Sequence, residues 1–153
     1  MTEDKQPESI GMVCTAETFR PCYTVDVRWL DWDEDFELAR ELWARAEYDL
    51  SKDEWLSFRD SGYTYCGVVV DGRIASRAAV FTRTKTEWEA AAVWTLDGYQ
   101  HRGYAKSVVS FVTQSILDSG HLATCHTDHD NAAMIATARG VGFIARGETA
   151  RSG

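Results

Sequence analysis

The apolar positions of this chain change period several times, and each change marks an element. Met12–Phe19 and Tyr23–Leu30 are rich in β-branched and aromatic residues, with Arg20-Pro21 between them. They predict two strands joined by a short turn. The period then becomes helical. Phe36, Ala39, Leu42, Trp43, Ala46 and Leu50 recur at helical spacing behind the acidic Asp33, Glu34 and Asp35, which suit the positive end of a helix. Ser51-Lys52-Asp53-Glu54 is a capping-box pattern ahead of Trp55, Leu56 and Phe58, with Gly62 as a stop. Two short helices are therefore expected across residues 34–60. Tyr63–Val70 and Ile74–Thr82 read as strands joined at Asp71-Gly72, a hairpin dipeptide. Thr86–Leu96 is a third run of the same kind. A helix follows from Tyr104 to Leu117, with Ala105, Val108, Val109, Val112 and Ile116 on one face and Gly120 at its end. Leu122–His126 is too short for a helix and, after a strand–helix unit, reads as a parallel strand. Asn131 opens a last short helix through Arg139, and Phe143–Gly147 reads as a final strand.

This order predicts an α+β fold with a mixed, mostly antiparallel sheet flanked by helices. The meander of three strands excludes a run of βα units, and with it the doubly wound dinucleotide fold. Residues 1–153 read as one domain, with 1–11 a mobile tail and 12–30 the N-terminal strands.

Composition narrows the partners. The formal net charge is −8, which argues against nucleic acid or an anionic membrane, since both attract cationic surfaces. No apolar run approaches the length that spans a bilayer. The start, Met1-Thr2-Glu3-Asp4-Lys5, is polar, and Cys14, Cys22, Cys66 and Cys125 form no Cys-x-x-Cys pair. Reduced thiols in a cytoplasmic protein are the expectation.

The strongest chemical signal lies between the strand Thr86–Leu96 and the helix from Tyr104. The loop is Gln100-His101-Arg102-Gly103-Tyr104-Ala105-Lys106. A glycine loop entering a helix leaves backbone N–H groups unpaired beside the positive end of the helix dipole, which seats phosphate. Gly103 lets the backbone approach an anion, Ala105 keeps the next approach small, and Arg102 and Lys106 add charge.

Gln-x-x-Gly-x-Ala in this context, with Asn131 followed by Gly142-Phe143 further on, resembles the GNAT superfamily of N-acetyltransferases over about residues 24–147. The resemblance implies an acyl-CoA-binding fold with acetyl-CoA as acetyl donor and an amine as acceptor. His101, Arg102, Gly103, Tyr104, Ala105 and Lys106 would hold the coenzyme A pyrophosphate. Val93, Trp94 and Thr95 would pair with the pantetheine arm where a bulge splays their strand. Asn131 would bond the cofactor, or the substrate through it. Glu89 falls where histone-type members carry a general-base glutamate, with Glu87 the weaker candidate two residues earlier. A base is needed because an alkylamine has a pKa of about 10.4 and is protonated near neutrality. Two features depart from the family pattern. Ala138 stands where many members have an acid tyrosine, and the chain ends ten residues after Phe143, too soon for the family's closing hairpin. The strand Met12–Phe19 is expected to fill that gap, or a second copy of the chain does so as a homodimer.

Other readings stand beside this one. A non-catalytic acyl-CoA-binding sensor or partner module would share the loop, and a dimerising domain would need no ligand. His121, Cys125, His126 and His129 carry a weak metal signal, because Cys125 and His126 face opposite ways in a strand and no second cysteine pair exists; no metal is expected. Trp29, Trp32, Trp43 and Trp55 read as core before they read as an amine-binding wall. Residues 31–60 hold eleven acidic residues against four basic ones, either a solvated face or a lure for a cationic acceptor.

Overall fold

The computed structural model describes residues 9–146. Its elements run β1 (Ser9–Cys14), β2 (Arg28–Trp29), α1 (Phe36–Ala44), α2 (Lys52–Asp60), β3 (Tyr63–Val70), β4 (Arg73–Phe81), β5 (Glu87–Thr95), α3 (Tyr104–Asp118), β6 (Leu122–Asp128), α4 (Ala132–Val141) and β7 (Ile144–Ala145). The strands form one sheet in the order β2-β3-β4-β5-β6-β1-β7. Every pairing is antiparallel except β5 with β6, so the expected α+β class and mixed sheet are what the chain adopts.

Each face of the sheet carries its own core. On one, Val108, Val109, Val112 and Ile116 of α3, with Ala138 and Val141 of α4, pack on Met12, Cys66, Val68 and Ala90. On the other, Ala39, Leu42 and Trp43 of α1 and Trp55 of α2 pack on Tyr65, Ile74 and Ala79. Trp55 is fully buried, and its indole N–H donates to the Trp32 carbonyl at 2.9 Å. Trp43 and Trp55 are thus core residues, as their spacing suggested. Ser51 caps α2 by accepting from the Glu54 N–H at 3.1 Å, and Asp71 and Gly72 turn the β3–β4 hairpin with φ of 55° and 75°, as a type I′ turn requires.

The N-terminal region departs from expectation. Residues 1–8 of the expected tail lie outside the described residues, while Ser9–Gly11 belong to β1 rather than to a tail. The strand ends at Cys14, not Phe19. Thr15–Phe19 form a tight turn closed by Phe19 N–H to the Thr15 carbonyl, 2.9 Å. This turn crosses the end of α4 so closely that a Cβ on Gly142 would lie 2.1 Å from the Thr18 carbonyl oxygen. The β-forming run Tyr23–Leu30 enters the sheet only at Arg28–Trp29. Its earlier backbone is taken by helix α3 instead: the N–H groups of Cys22 and Thr24 donate to the hydroxyls of Ser110 and Ser107, at 2.8 and 2.9 Å. The expected gap-filling is seen, because β1 lies between β6 and β7 and pairs with both.

Candidate functional site

The sheet opens at its centre. β5 and β6 pair only through Glu87–Leu122, Trp88–Ala123 and Glu89–Thr124. Beyond Glu89 the two strands part, leaving the remaining length of β5 without a partner on that side. A bulge on the other side explains the parting. The β4–β5 register shifts between Arg77 and Ala79, and Ala92 takes φ of 57°, a left-handed backbone that costs an alanine about 1–2 kcal/mol. Arg77 holds that kink, its Nε donating to the Ala92 carbonyl at 3.0 Å. Val93, Trp94 and Thr95 follow the kink and line the open edge.

The glycine loop lies at the end of this edge. Gly103 is the N-cap of α3 with φ of 80°, and His101 also has positive φ, 66°. Among the described residues, none of the backbone N–H groups from His101 to Lys106 donates to another part of the chain. These are the unpaired donors of a helix start. A Cβ on Gly103 would meet Thr24 Cγ2 at 2.6 Å, so the loop closes only around glycine. Thr24 secures it by donating to the Arg102 carbonyl at 2.8 Å. Arg102 reaches back to the Gly98 carbonyl, 3.1 Å, and covers the Tyr99 ring. The Lys106 side chain crosses α4, its Nζ 3.1 Å from where a Gly140 Cβ would be, which places the ammonium by the C-terminal end of that helix. An anionic pantetheine-linked diphosphate fits what is present: free N–H groups, a backbone no side chain obstructs, and an unpaired strand edge leading away from it.

Glu89 sits where β5 and β6 part. Its carboxylate is largely buried and has one oxygen 2.9 Å from Arg83 Nη1 and the other 3.5 Å from His126 Nδ1. Glu87 is elsewhere engaged, with Arg146 at 2.6 Å. The expected split of Cys125 and His126 is seen, Cys125 buried and His126 exposed. Burial, with the Glu89 charge adding to it, pushes the Cys125 thiol up to about 12, which makes it inert as a nucleophile. Asn131 caps α4, its side-chain oxygen accepting from the Met134 N–H at 3.1 Å. Ala138 is fully buried in the α3–α4 core, so that position offers no hydroxyl. Among the described residues no group of three or more His, Cys, Asp or Glu could hold a metal ion, and no helix is long and apolar enough to cross a membrane.

Three contributors were not singled out from the sequence: Arg77, His126 as a partner of Glu89, and Thr24. Arg77 had a signal, being the one charge within the small apolar run Ile74–Phe81. The other two are brought in by pairing across the sheet and by packing on α3, which leave no local mark.

A mixed sheet parted between two parallel strands, with a glycine-capped helix start at the end of the parting, defines the acyl-CoA-dependent acetyltransferase fold. The model of the acetyltransferase (GNAT) family matches residues 24–143, and the chain belongs to that family, whose acetyl donor is acetyl-CoA. Solved structures agree in fold. A GNAT-family protein from Novosphingobium aromaticivorans is 24% identical with a TM-score of 0.70, over 90% of this chain and 59% of that one. A GCN5-related N-acetyltransferase from Kribbella flavida is 18% identical with a TM-score of 0.67, over 91% of this chain and 55% of that one. AAC(6')-Iy, solved with the bisubstrate analog CoA-S-monomethyl-acetylneamine, is 18% identical with a TM-score of 0.65, over 82% of this chain and 92% of that one. The chain spans little more than half the length of the first two. No curated protein matches it.

Proposed function

We propose that the chain is an acetyl-CoA-dependent N-acetyltransferase that passes the acetyl group directly to a primary amine. The observation that carries this reading is the placement of Glu89 at the fork of β5 and β6, on the strand whose open edge begins one residue later. When bound, acetyl-CoA supplies an acyl group activated as a thioester. The chain's residues do the rest. Backbone N–H groups of His101–Lys106 bind the diphosphate, Val93–Thr95 present a free strand edge to the pantetheine arm, and Asn131 lies at the start of the neighbouring helix. A backbone N–H exposed on β5 past the bulge is the kind of fixed donor that steadies charge developing on a carbonyl oxygen.

Glu89 accepts the proton of the ammonium form of the acceptor. Deprotonating an amine of pKa about 10.4 at pH 7 costs about 4–5 kcal/mol, so a fixed carboxylate beside it contributes directly to rate. His126 faces the second carboxylate oxygen and gives the proton a route to solvent. With Ala138 buried, α4 contributes no acid to the site.

The test is release of free thiol from acetyl-CoA across a panel of amines, with coenzyme A binding followed in parallel by thermal shift. Glu89→Gln is expected to lower turnover about 10²-fold or more while leaving the coenzyme A shift intact. Coenzyme A binding without thiol release on any amine would replace this reading with that of an acyl-CoA-binding module.

A further inference from the structure

Arg77 does more than hold the bulge. It lies on β4, on the face covered by α1 and α2, and faces Trp94 across the β4–β5 pairing. Its guanidinium carbon is 4.2 Å from the Trp43 ring centre, 5.1 Å from that of Trp94 and 5.8 Å from that of Tyr65. These rings take the flat sides of the cation. Burial pushes the group below its ordinary pKa, yet a guanidinium stays charged. Only Nε has a protein acceptor, the Ala92 carbonyl. Among the described residues no acceptor and no carboxylate lies within bonding range of its two terminal nitrogens, although Arg28, Arg40, Arg45, Arg59, Arg83 and Arg146 each have an acidic partner. None of the acidic side chains among the described residues pairs with this cation.

Its position says which ligand supplies the missing charge. Glu89 pairs with Phe81, Ala91 with Ala79 and Trp94 with Arg77, so Glu89 and Arg77 share a sheet face and bracket the bulge. Phe81 and Arg77 are four strand positions apart, roughly 13 Å of backbone, and both side chains are long enough to shorten that span. The diphosphate seat follows the Thr95 end of β5, the end at which Arg77 pairs with Trp94, but it opens α3, which packs on the opposite face of the sheet from Arg77. We infer that Arg77 binds a carboxylate of the acceptor, so that the substrate is an amine of amino-acid type, with its anionic group on the Arg77 fork and its amine toward Glu89. The inference rests on the transferase reading for the identity of the acceptor face. Of the two readings of the acidic stretch 31–60, it favours the solvated face over a lure for a cationic acceptor.

Matched acceptors test it: L-lysine against cadaverine, L-phenylalanine against phenethylamine, and each amino acid against its amide. The free acids are expected to show kcat/KM about 10- to 100-fold above their decarboxylated or amidated counterparts, expressed mainly in KM. Arg77→Met is expected to collapse that preference; because it also removes the Nε bond to the Ala92 carbonyl, the coenzyme A thermal shift is measured beside it and the acid-to-amide ratio is compared within each variant. Arg77→Lys, which keeps the charge without the fork, retains part of it and serves if Arg77→Met does not fold. A second readout needs no turnover. With coenzyme A saturating, N-acetyl-phenylalanine is expected to raise Tm more than its amide does, and to lose that advantage in the Arg77 variants. Equal rates for acids and decarboxylated amines overturn the inference while leaving the transferase reading standing. Where no amine is acetylated at all, that reading fails, and equal thermal shifts by the N-acetyl acid and its amide overturn the carboxylate site on their own.

Discussion

Gly103→Ala is the substitution that most directly probes how the glycine loop is built. Two costs combine. The first is backbone: at φ of 80° an L-residue is left-handed, about 1–2 kcal/mol. The second is contact: the new Cβ would lie 2.6 Å from Thr24 Cγ2 and 2.8 Å from Thr24 Oγ1. Relieving it means moving Thr24 and losing its 2.8 Å bond to the Arg102 carbonyl, about another 1 kcal/mol. The sum is about 2–3 kcal/mol, a fall in Tm of roughly 4–12 °C for a chain of this size. Thr24→Ala separates the two parts. In that background both close contacts vanish and only Thr24 Cβ at 3.2 Å remains, so Gly103→Ala should cost only its backbone share. Urea unfolding of the four proteins of the cycle measures the coupling, expected at about 1–2 kcal/mol. Coenzyme A thermal shift should fall in Gly103→Ala and survive in Thr24→Ala. A coupling near zero, with Gly103→Ala equally costly in both backgrounds, would refute the claim that Thr24 shapes the loop.

Other expectations follow from single contacts. Arg28 beside Asp35, at 2.9 Å, holds that carboxyl below its ordinary range. Its stabilisation is therefore full above pH about 4 and is lost as pH falls through the lower folded value. Asp35→Asn should cost about 1 kcal/mol at pH 7, and urea midpoints of the two proteins should converge in acid. Ser51→Ala removes the α2 cap and should cost about 1 kcal/mol in the same assay. Of the four free thiols only Cys22 is accessible, while Cys14, Cys66 and Cys125 are buried. Burial also raises the pKa of all three buried thiols. Native protein should therefore take up one equivalent of a maleimide quickly and the other three only in denaturant, as read by intact mass.

Much of this was legible because the deciding forces are local. Ser51 accepts from the Glu54 N–H within a turn, Asp71-Gly72 sets its own backbone, and the period of Val108, Val109, Val112 and Ile116 already describes the buried face of α3. The glycine loop belongs to this class, since its free N–H groups follow from a glycine before a helix. What escaped depends on partners far along the chain. Tyr23–Val27 has the composition of a strand, but Ser107 and Ser110 offer its backbone hydroxyls that a sheet neighbour would otherwise replace. The bulge falls in Ala90-Ala91-Ala92-Val93, where nothing in the residues marks Ala92 as the one that turns left-handed. Its cause is Arg77 on the adjacent strand, and Arg77 reads in sequence as an unexplained charge. Glu89 could be placed by its distance from the loop, whereas its contacts with Arg83 and His126 required the β5–β6 pairing.

The place of β1 in the sheet has a consequence for how the molecule is made. Ser9–Cys14 pairs with Ala123–Asp128 and, on its other edge, with Ile144 and Ala145. Once made, β1 thus has no partner until more than a hundred further residues, roughly 5–20 s of synthesis, have followed it. The meander and its helices can form in that interval, because their contacts are near in sequence. From the time they are made until β1 inserts, β6 keeps an open edge and β7 lacks its neighbour, the exposure that invites pairing between molecules. Insertion of β1 ends both conditions at once. The strand made before both of its partners is the one whose pairing closes the sheet.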